Sequence, residues 1–290
     1  NDGDGSFTLI GRQSGISLRN NNALGVVCFD FNGDHQDDFF VANDGERNHL
    51  WINNGDRTFN ERAVAYGTAV NLFGDTEAGM GIALGDVDAD QQLDLLLTHL
   101  DQETHTLYLR ARDGTFTDAT IQSGLGGPSI PETGFGVSMF DANQDGALDV
   151  AIGNGRVRKK PGGIPYSGTG ILEQFHRDYA ESNRLMINMG NGKFADGCVV
   201  PSPFCTDLHV SRGLLTGDID ADGDLDIVVM NSNGPTRLYR NTIEDKGGWL
   251  KLRAFDPALK RDAIGARVRI RIGDTWQVRP VIHSDSYLSS

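Results

Sequence analysis

Short apolar segments alternate with runs of glycine, asparagine and aspartate along most of this chain. Each of four units has a glycine-containing apolar strand, an acidic loop, a second apolar run, and a strand in which Leu precedes an aromatic residue or Met. Apolar runs this short, bounded by turn residues, favour strands over amphipathic helices. The pattern predicts an all-β fold, with a helix expected only around 170–180.

The four units repeat at a nearly regular spacing. Their acidic loops begin at Asp30, Asp86, Asp141 and Asp218, so successive loops lie 56, 55 and 77 residues apart, and the last spacing indicates an insertion. Three units close with a glycine turn and a Phe, and residues 1–7 repeat this closing pattern with no loop before it. Four short strands in each unit of about 50 residues predict a β-propeller, because the repeats of a parallel β-helix are shorter. The expected boundaries are a partial blade at 1–20, blades at about 21–70, 71–128, 129–207 and 208–245, and a small β module at 246–290.

Charge narrows the classes of partner. The chain has 40 acidic and 26 basic residues, a formal net charge of −14, which argues against a nucleic-acid binder that needs a basic surface. No apolar run approaches eighteen residues, so we predict no insertion into a membrane. Of the acidic residues 32 are Asp, and half of these Asp residues fall within the four loops.

The four loops share the pattern D-x-[DN]-x-D-x-x-x-D. Side chains at positions 1, 3, 5 and 9 and the backbone carbonyl at position 7 offer oxygen ligands, which fit Ca²⁺ better than Mg²⁺. The loops are not EF-hands, because position 12 is Val41, Leu97, Ile152 or Val229 in place of Glu. The predicted ligands of up to four calcium sites are Asp30, Asn32, Asp34, Gln36 and Asp38; Asp86, Asp88, Asp90, Gln92 and Asp94; Asp141, Asn143, Asp145, Ala147 and Asp149; and Asp218, Asp220, Asp222, Asp224 and Asp226.

Neighbouring carboxylates repel each other unless a cation lies among them, so we expect the calcium-free protein to be the less stable form. The sixth residue of each loop needs a left-handed conformation, which Gly146 and Gly223 adopt more easily than His35 and Gln91. We therefore expect the fourth loop to bind most tightly, then the third or second, and the first most weakly. The alternative is that these Asp, Asn and Gly runs are turns that bind no metal.

The repeats resemble the FG-GAP/VCBS repeats of integrin-α-type propellers, and specifically the ASPIC/UnbV (cartilage acidic protein-like) family. Residues 22–30 resemble the strand that enters such a loop, and 153–157 with the following insertion resemble the insertion blade of bacterial members. Residues 249–250, 260–268 and 286–288 are similar to the opening of the ASPIC/UnbV module. The resemblance implies an exported protein, whether extracellular, at the cell surface or periplasmic. Family members usually have about seven blades, so we expect this chain to be a partial one.

The insertion 154–182 is basic in an otherwise acidic chain, and it should join the second and third strands of its blade, away from the acidic loops. Long loops in compact domains are often functional, so the insertion is a candidate surface for a protein or glycan. The alternative is a loop that only packs or is disordered. The candidate ligand surface comprises Arg158, Lys159, Lys160, Tyr166, His176 and Tyr179.

Two further features concern the cysteines and the C-terminal arginines. Cys198 and Cys205 flank a short loop with two prolines and could form a disulfide in an oxidising compartment, whereas Cys28 is expected to be a buried thiol. Arg267, Arg269 and Arg271 alternate with apolar residues on the first strand of a predicted hairpin, which indicates a solvated strand face, the alternative being a site for an anionic ligand.

The favoured function is a non-catalytic, calcium-binding propeller for adhesion or for protein or glycan interaction. The sequence contains no G-x-S-x-G, P-loop or H-E-x-x-H motif, and no catalytic residue is predicted. The alternative is a carbohydrate-active enzyme, a polysaccharide lyase or hydrolase with a cleft on the propeller face, because FG-GAP-like propellers also occur in such enzymes.

Overall fold

The structure is a computed structural model that describes residues 4–18, 21–159, 162, 171–244 and 247–282. Small antiparallel sheets are arranged as the blades of a four-blade β-propeller, and in each sheet neighbouring strands follow chain order. The predicted all-β propeller is therefore confirmed. The sheets are β1 (Ala23–Phe29), β2 (Asp38–Asn43), β3 (His49–Asn53) and β4 (Phe59–Glu61); β5 (Ile82–Gly85), β6 (Asp94–Leu97), β7 (Thr106–Arg110) and β8 (Phe116–Asp118); β9 (Gly134–Phe140), β10 (Asp149–Asn154), β12 (Arg184–Asn188) and β13 (Phe194–Asp196); and β15 (Ser211–Gly217), β16 (Asp226–Asn231) and β17 (Arg237–Tyr239).

Shorter elements fill the connections. Three strand pairs lie outside the blades: β11 (Glu181–Ser182) with β14 (Leu208–His209), β18 (Phe255–Asp256) with β19 (Arg261–Asp262), and β20 (Arg267–Ile272) with β21 (Thr275–Pro280). The helices are α1 (Ala63–Tyr66), α2 (Thr120–Ser123), α3 (Gly126–Ser129), α4 (Ile171–Tyr179) and α5 (Pro203–Thr206), with 3₁₀ turns at Ile16–Leu18 and Gly197–Val199. Helix α4 is the one expected around 170–180. The described part of the expected partial blade, 4–18, contains no strand, and no helix in the described ranges is long and apolar enough to cross a membrane.

The connections place the acidic loops and the insertion at opposite ends of the blades. Every acidic loop joins the first strand of its sheet to the second, for example β1 to β2 and β9 to β10. The insertion lies between β10 and β12, the second and third strands of the third sheet, as the repeat pattern predicted. Because adjacent strands are antiparallel, these two kinds of connection lie at opposite ends of a blade.

The glycines in the first strands mark the close approach of neighbouring blades. A Cβ atom on Gly81 would lie 2.0 Å from the carbonyl oxygen of Phe135 in β9, and one on Gly136 would lie 2.4 Å from the backbone nitrogen of Leu214 in β15. Real Cβ atoms do not approach backbone atoms so closely, so only glycine permits these strands to pack. Glycine in an otherwise apolar strand thus has a packing role here.

The apolar core lies between successive sheets. Strand β6 contributes to two interfaces, because Leu95 and Leu97 face the first sheet while Leu96 faces the third, and all three are fully buried. The alternation of side chains along a strand accounts for this division. The three interfaces are formed by Phe29, Phe40, Ile82 and Leu84; by Leu107, Val137, Val150 and Met186; and by Phe140, Ala151, Leu214 and Val229.

The cysteines behave differently from one another. Cys198 and Cys205 form a disulfide with a Cα–Cα distance of 5.5 Å, beside the third core interface. The prediction that Cys28 is buried was wrong: its side chain is exposed, as is Val26, on the face of the first sheet that is turned away from the second. The described residues leave that face uncovered.

Candidate metal centres

The aspartate at position 9 holds each acidic loop against its own blade. In the second loop, the Oδ2 atom of Asp94 accepts a hydrogen bond from the backbone N–H of Val87 at 3.0 Å, and its Oδ1 atom accepts one from that of Arg110 at 2.9 Å. Val87 is at position 2 of the loop, and Arg110 ends the third strand. The same two bonds recur at Asp38 (from Phe31 and Asn53), Asp149 (from Ala142 and Asn188) and Asp226 (from Ile219 and Asn241).

The sequence analysis treated position 9 as a metal ligand, and that assignment stays a prediction. The structure adds a second role, since each of these carboxylates binds two backbone amides. A carboxylate oxygen has two lone pairs, so an oxygen that accepts one amide bond can still face a cation.

The aspartate at position 1 closes the turn of each loop. Asp141 accepts the backbone N–H of Gly146 at 2.9 Å, and Asp86 accepts that of Gln91 at 3.1 Å. Each of these donors is the sixth residue of its loop, and its φ is positive. The values are 68° at His35, 74° at Gln91, 94° at Gly146 and 96° at Gly223, as the turn position required.

In the second and fourth loops three carboxylates converge. Asp86, Asp88 and Asp94 each offer an oxygen within 4.8 Å of the other two, and so do Asp218, Asp220 and Asp222. The Oδ1 atom of Asp86 is also buried without a hydrogen-bond partner among the described residues. A buried oxygen without a partner is costly, and a cation among the carboxylates would satisfy it and remove their repulsion. This donor set fits Ca²⁺.

The first and third loops have an amide at position 3. The Nδ2 atom of Asn32 donates to Asp34 Oδ2 at 2.8 Å, and that of Asn143 donates to Asp145 Oδ2 at 2.9 Å. In these two loops the amide at position 3 therefore satisfies a carboxylate oxygen of position 5. The second and fourth loops have aspartate at position 3 and lack this amide donor. By this criterion the second loop ranks with the fourth, above the third.

Burial raises the pKa of particular aspartates in the first three loops, which disfavours their ionised form. Burial raises the pKa of Asp94 to about 8 and that of Asp149 to about 7, and nearby aspartates add to both shifts although backbone hydrogen bonds oppose them. Burial likewise raises the pKa of Asp38 and of Asp86 to about 6. These values describe a metal-free loop, in which a proton takes the place that a cation would otherwise occupy.

The loops also connect neighbouring blades, which the sequence analysis did not foresee. The carbonyl oxygen at position 2 accepts a hydrogen bond from a residue that ends the third strand of the next blade or lies two positions after that end. Asn188 donates to Val87 and Asn241 donates to Ala142, both at 2.8 Å, and the guanidinium of Arg110 donates to Phe31. The signal available in the sequence was the asparagine that ends or follows the third strand in three of the units.

The candidate ligand surface on the insertion is only partly exposed. Arg158 is exposed, whereas the Nζ atom of Lys159 pairs with Asp178 Oδ2 at 2.7 Å. His176 packs edge-on against Phe175, with ring centroids 6.1 Å apart, and Tyr179 packs against the same ring at 5.1 Å. Lys160 and Tyr166 lie outside the described residues.

As expected of a solvated strand face, all three C-terminal arginines are exposed, but two of them also contact other parts of the chain. Arg267 donates from Nη2 to the carbonyl oxygen of Asp30 at 3.2 Å, and Arg269 donates to Oε1 of Gln91. Arg271 alone bonds within its own hairpin, to Gly273 and Asp274. Two arginines of the stripe therefore contact the acidic loops.

Comparison with known proteins supports the division of the sequence into repeats. Residues 30–97 and 86–152 each match the family described as FG-GAP-like repeat. Cartilage acidic protein 1 of Homo sapiens is 27% identical over 166 residues, and that of Mus musculus is 25% identical over 167 residues. Each match covers 56% of this chain but only 21% and 22% of the relatives, so the chain matches about a fifth of their length.

A lectin of Agrocybe aegerita is a solved structure with some likeness. That lectin specifically recognises non-reducing terminal N-acetylglucosamine. It shares 13% sequence identity, the superposition covers 89% of this chain and 74% of the lectin, and the TM-score is 0.33.

Proposed function

We propose that this chain, in which residues 30–97 and 86–152 match the FG-GAP-like repeat, is a calcium-binding extracellular β-propeller. It would be non-catalytic and would serve adhesion or the recognition of a protein or glycan. The observation that carries the calcium proposal is the convergence of Asp86, Asp88 and Asp94 within 4.8 Å around a buried carboxylate oxygen. A divalent cation is the simplest group that satisfies that oxygen and offsets the repulsion.

The ion would act on stability. In each loop the carboxylates and amides of positions 1, 3, 5 and 9 would hold it, together with the carbonyl of position 7. Bound calcium would supply positive charge where several buried carboxylates meet. Because the same loops join strands within a blade and link adjacent blades, the ion would stabilise the propeller as a whole.

Two observations support an exported location, whether extracellular, at the cell surface or periplasmic. The disulfide between Cys198 and Cys205 is typical of oxidising compartments. The similarity to cartilage acidic protein 1 points the same way, through the family resemblance of the repeats.

The protein or glycan partner would bind at the end of the propeller opposite the acidic loops, where the insertion with Arg158 lies. At the other end, the C-terminal segment contacts the acidic loops. The enzyme alternative gains no support from the described residues, because Lys159 and His176 are engaged in an ion pair and in ring packing.

Calorimetric titration of chelator-treated protein with Ca²⁺ and with Mg²⁺ tests the calcium proposal. We expect calcium to bind more tightly than magnesium, and Asp218→Asn to remove or weaken one site. Asp113→Asn is the matched control, because Asp113 accepts bonds only from Thr115 in an exposed turn. Absence of calcium binding, together with a melting temperature indifferent to EDTA, would contradict the proposal.

The partner proposal is tested on glycan arrays and on immobilised matrix proteins, with and without calcium. We expect a calcium-dependent ligand whose binding falls in Arg158→Ala. Turnover of a polysaccharide without measurable stable binding would favour the enzyme instead.

A further inference from the structure

The C-terminal segment 249–282, here called the C-terminal cap, packs on the end of the propeller that carries the acidic loops. Val278 of β21 is 1% exposed and belongs to the core cluster between the first and second sheets. Ile282 is partly buried against the same cluster. The cap is thus anchored in the propeller core as well as by contacts with the loops.

Each acidic loop contacts a basic or aromatic residue of the cap. Arg267 donates to the carbonyl oxygen of Asp30 at 3.2 Å, and its guanidinium lies 4.7 Å from the ring centre of Phe29. Arg269 donates to the side chain of Gln91 in the second loop. The remaining contacts are Arg279 Nη2 to the carbonyl oxygen of Gly146 at 3.4 Å, and Lys251 Nζ to Asp218 Oδ2 at 3.9 Å.

In three loops the cap contacts the sixth residue. That residue is Gln91, Gly146 or Gly223, and each has a positive φ. A Cβ on Gly146 would lie 2.4 Å from the Nε2 atom of Gln277, and one on Gly223 would lie 2.3 Å from Nε1 of Trp249. The cap therefore accounts for glycine at these two positions, in addition to the turn conformation.

The cap and a cation would use different atoms of the same loops. Arg267, Arg269 and Arg279 bond to the backbone carbonyl of position 1, the side chain of position 6 and the backbone carbonyl of position 6. None of these atoms is a predicted metal ligand, so in the first three loops both can be bound at once, and both need the same closed turn. The fourth loop differs, because Lys251 pairs there with Oδ2 of the predicted ligand Asp218.

Two electrostatic effects act on this arrangement with opposite signs. Carboxylate repulsion opens a metal-free loop and moves the sixth residue away from the cap, whereas a cation closes it. Against this, the charge of Arg279 attracts Asp86 and Asp141, and it would repel a cation bound there. The hydrogen bonds of the cap form only with the closed turn, and Asp86 and Asp141 already offset part of the charge of Arg279, so we expect loop closure to be the larger effect.

We propose that docking of the C-terminal cap and calcium binding at the acidic loops stabilise each other. The proposal rests on the proposed calcium function. The two effects are thermodynamically reciprocal. The factor by which calcium strengthens docking of the cap equals the factor by which the docked cap raises calcium affinity.

Hydrogen exchange on the wild-type protein, with calcium and with EDTA, is the first test. A two-stranded hairpin alone is marginally stable, so the amides of β20 and β21 lose protection when the cap undocks. We expect their exchange to accelerate at least about tenfold in EDTA. Unchanged exchange, in a protein that calorimetry shows to bind calcium, would overturn the coupling and leave the proposed function intact. No calcium binding at all would overturn both.

The second test compares two arginine substitutions by calorimetry. Arg279→Met removes the contact with Gly146 and keeps an apolar stem, and we expect it to lower calcium affinity about fivefold. Arg271→Met is the control, because it removes the same charge from the same hairpin but Arg271 bonds only to Gly273 and Asp274. Removal of a positive charge near the cation would by itself raise calcium affinity. A calcium affinity of Arg279→Met that equals or exceeds that of wild type would therefore contradict the coupling.

Discussion

Asp88→Asn tests whether convergent carboxylates make the metal-free loop unstable. Asp88 is half-buried at position 3 of the second loop, and its Oδ1 atom accepts the backbone N–H of Asp90 at 3.2 Å. Asparagine keeps that acceptor and the side-chain volume, so the substitution mainly removes one negative charge. It also gives the second loop the residue that the third loop has at Asn143.

The expected magnitude follows from the geometry. Oxygens of Asp88, Asp86 and Asp94 lie within 4.8 Å of one another. Near neutral pH the raised pKa of Asp94, about 8, leaves it largely protonated, so the repulsion that Asp88 experiences comes chiefly from Asp90 and Asp86. Two unit charges at that distance repel by about 1 kcal/mol in water and about 3.5 kcal/mol at an effective dielectric constant of about 20. The metal-free variant should be more stable by an amount in this range.

With calcium the order reverses, because the variant has lost one charged ligand. A loss of about 1 kcal/mol lowers calcium affinity at that loop about fivefold. Urea unfolding of both proteins in EDTA and in excess calcium should therefore show a crossover, with the variant more stable without the ion and less stable with it. Asp75→Asn, the same change in an exposed loop, is the control. A variant that is less stable than wild type under both conditions would refute the reasoning.

Three other predictions follow from individual contacts. Asp149→Ala leaves two buried backbone amides without an acceptor and should lower the free energy of unfolding by about 2 to 6 kcal/mol in urea denaturation. The control Asp113→Ala, in an exposed turn, should leave the free energy of unfolding nearly unchanged. Equal effects of the two substitutions would contradict the role of Asp149 as the acceptor of two amides. Burial raises the pKa of Asp94 to about 8 and that of Asp149 to about 7, so protonation favours the folded metal-free protein, whose stability should fall as the pH rises from about 4 to 8. Calcium affinity should rise over the upper part of that pH range, and binding should release protons. Calorimetry in buffers of different ionisation enthalpy measures this release. Calcium binding without proton release would contradict the prediction. Replacing Cys198 and Cys205 with serine opens a short loop and should lower stability by about 2.5 kcal/mol in the same urea assay, while an unchanged midpoint would show that the bond constrains little.

The repeat pattern was sufficient to predict the sheets, because each blade is local in sequence. The run from Asp94 to Leu97 became β6, and Thr106 began β7, since each blade pairs strands that are neighbours along the chain. The insertion was placed correctly for the same reason: it falls between the second and third strands of its unit. The turn conformation of Gln91 was likewise fixed by its place within a nine-residue pattern.

The interactions that sequence analysis missed join residues far apart in the chain. Arg267 and Asp30 are separated by 237 positions, and the alternation along β20 shows only that Arg267 lies on the same face as Arg269 and Arg271. Whether such a face meets solvent or another part of the protein depends on tertiary packing. Cys28 shows the opposite error, because an apolar strand was assumed to be covered on both faces and one face of β1 is open.

The aspartates of the loops can serve two roles, bonding to backbone amides and binding a cation, and the sequence motif alone does not distinguish them. Aspartate at positions 1 and 9 accepts backbone amide hydrogen bonds in all four loops, as at Asp141 and Asp149, so these residues are needed for the fold even without a metal, although Asp86 keeps one buried oxygen without a partner among the described residues. Position 3 is different: Asn143 makes a hydrogen bond to Asp145, whereas Asp88 adds a third carboxylate to its loop. The identity of position 3 is therefore the better indicator of cation binding, and aspartate there should mark the loops whose stability changes most on addition of EDTA.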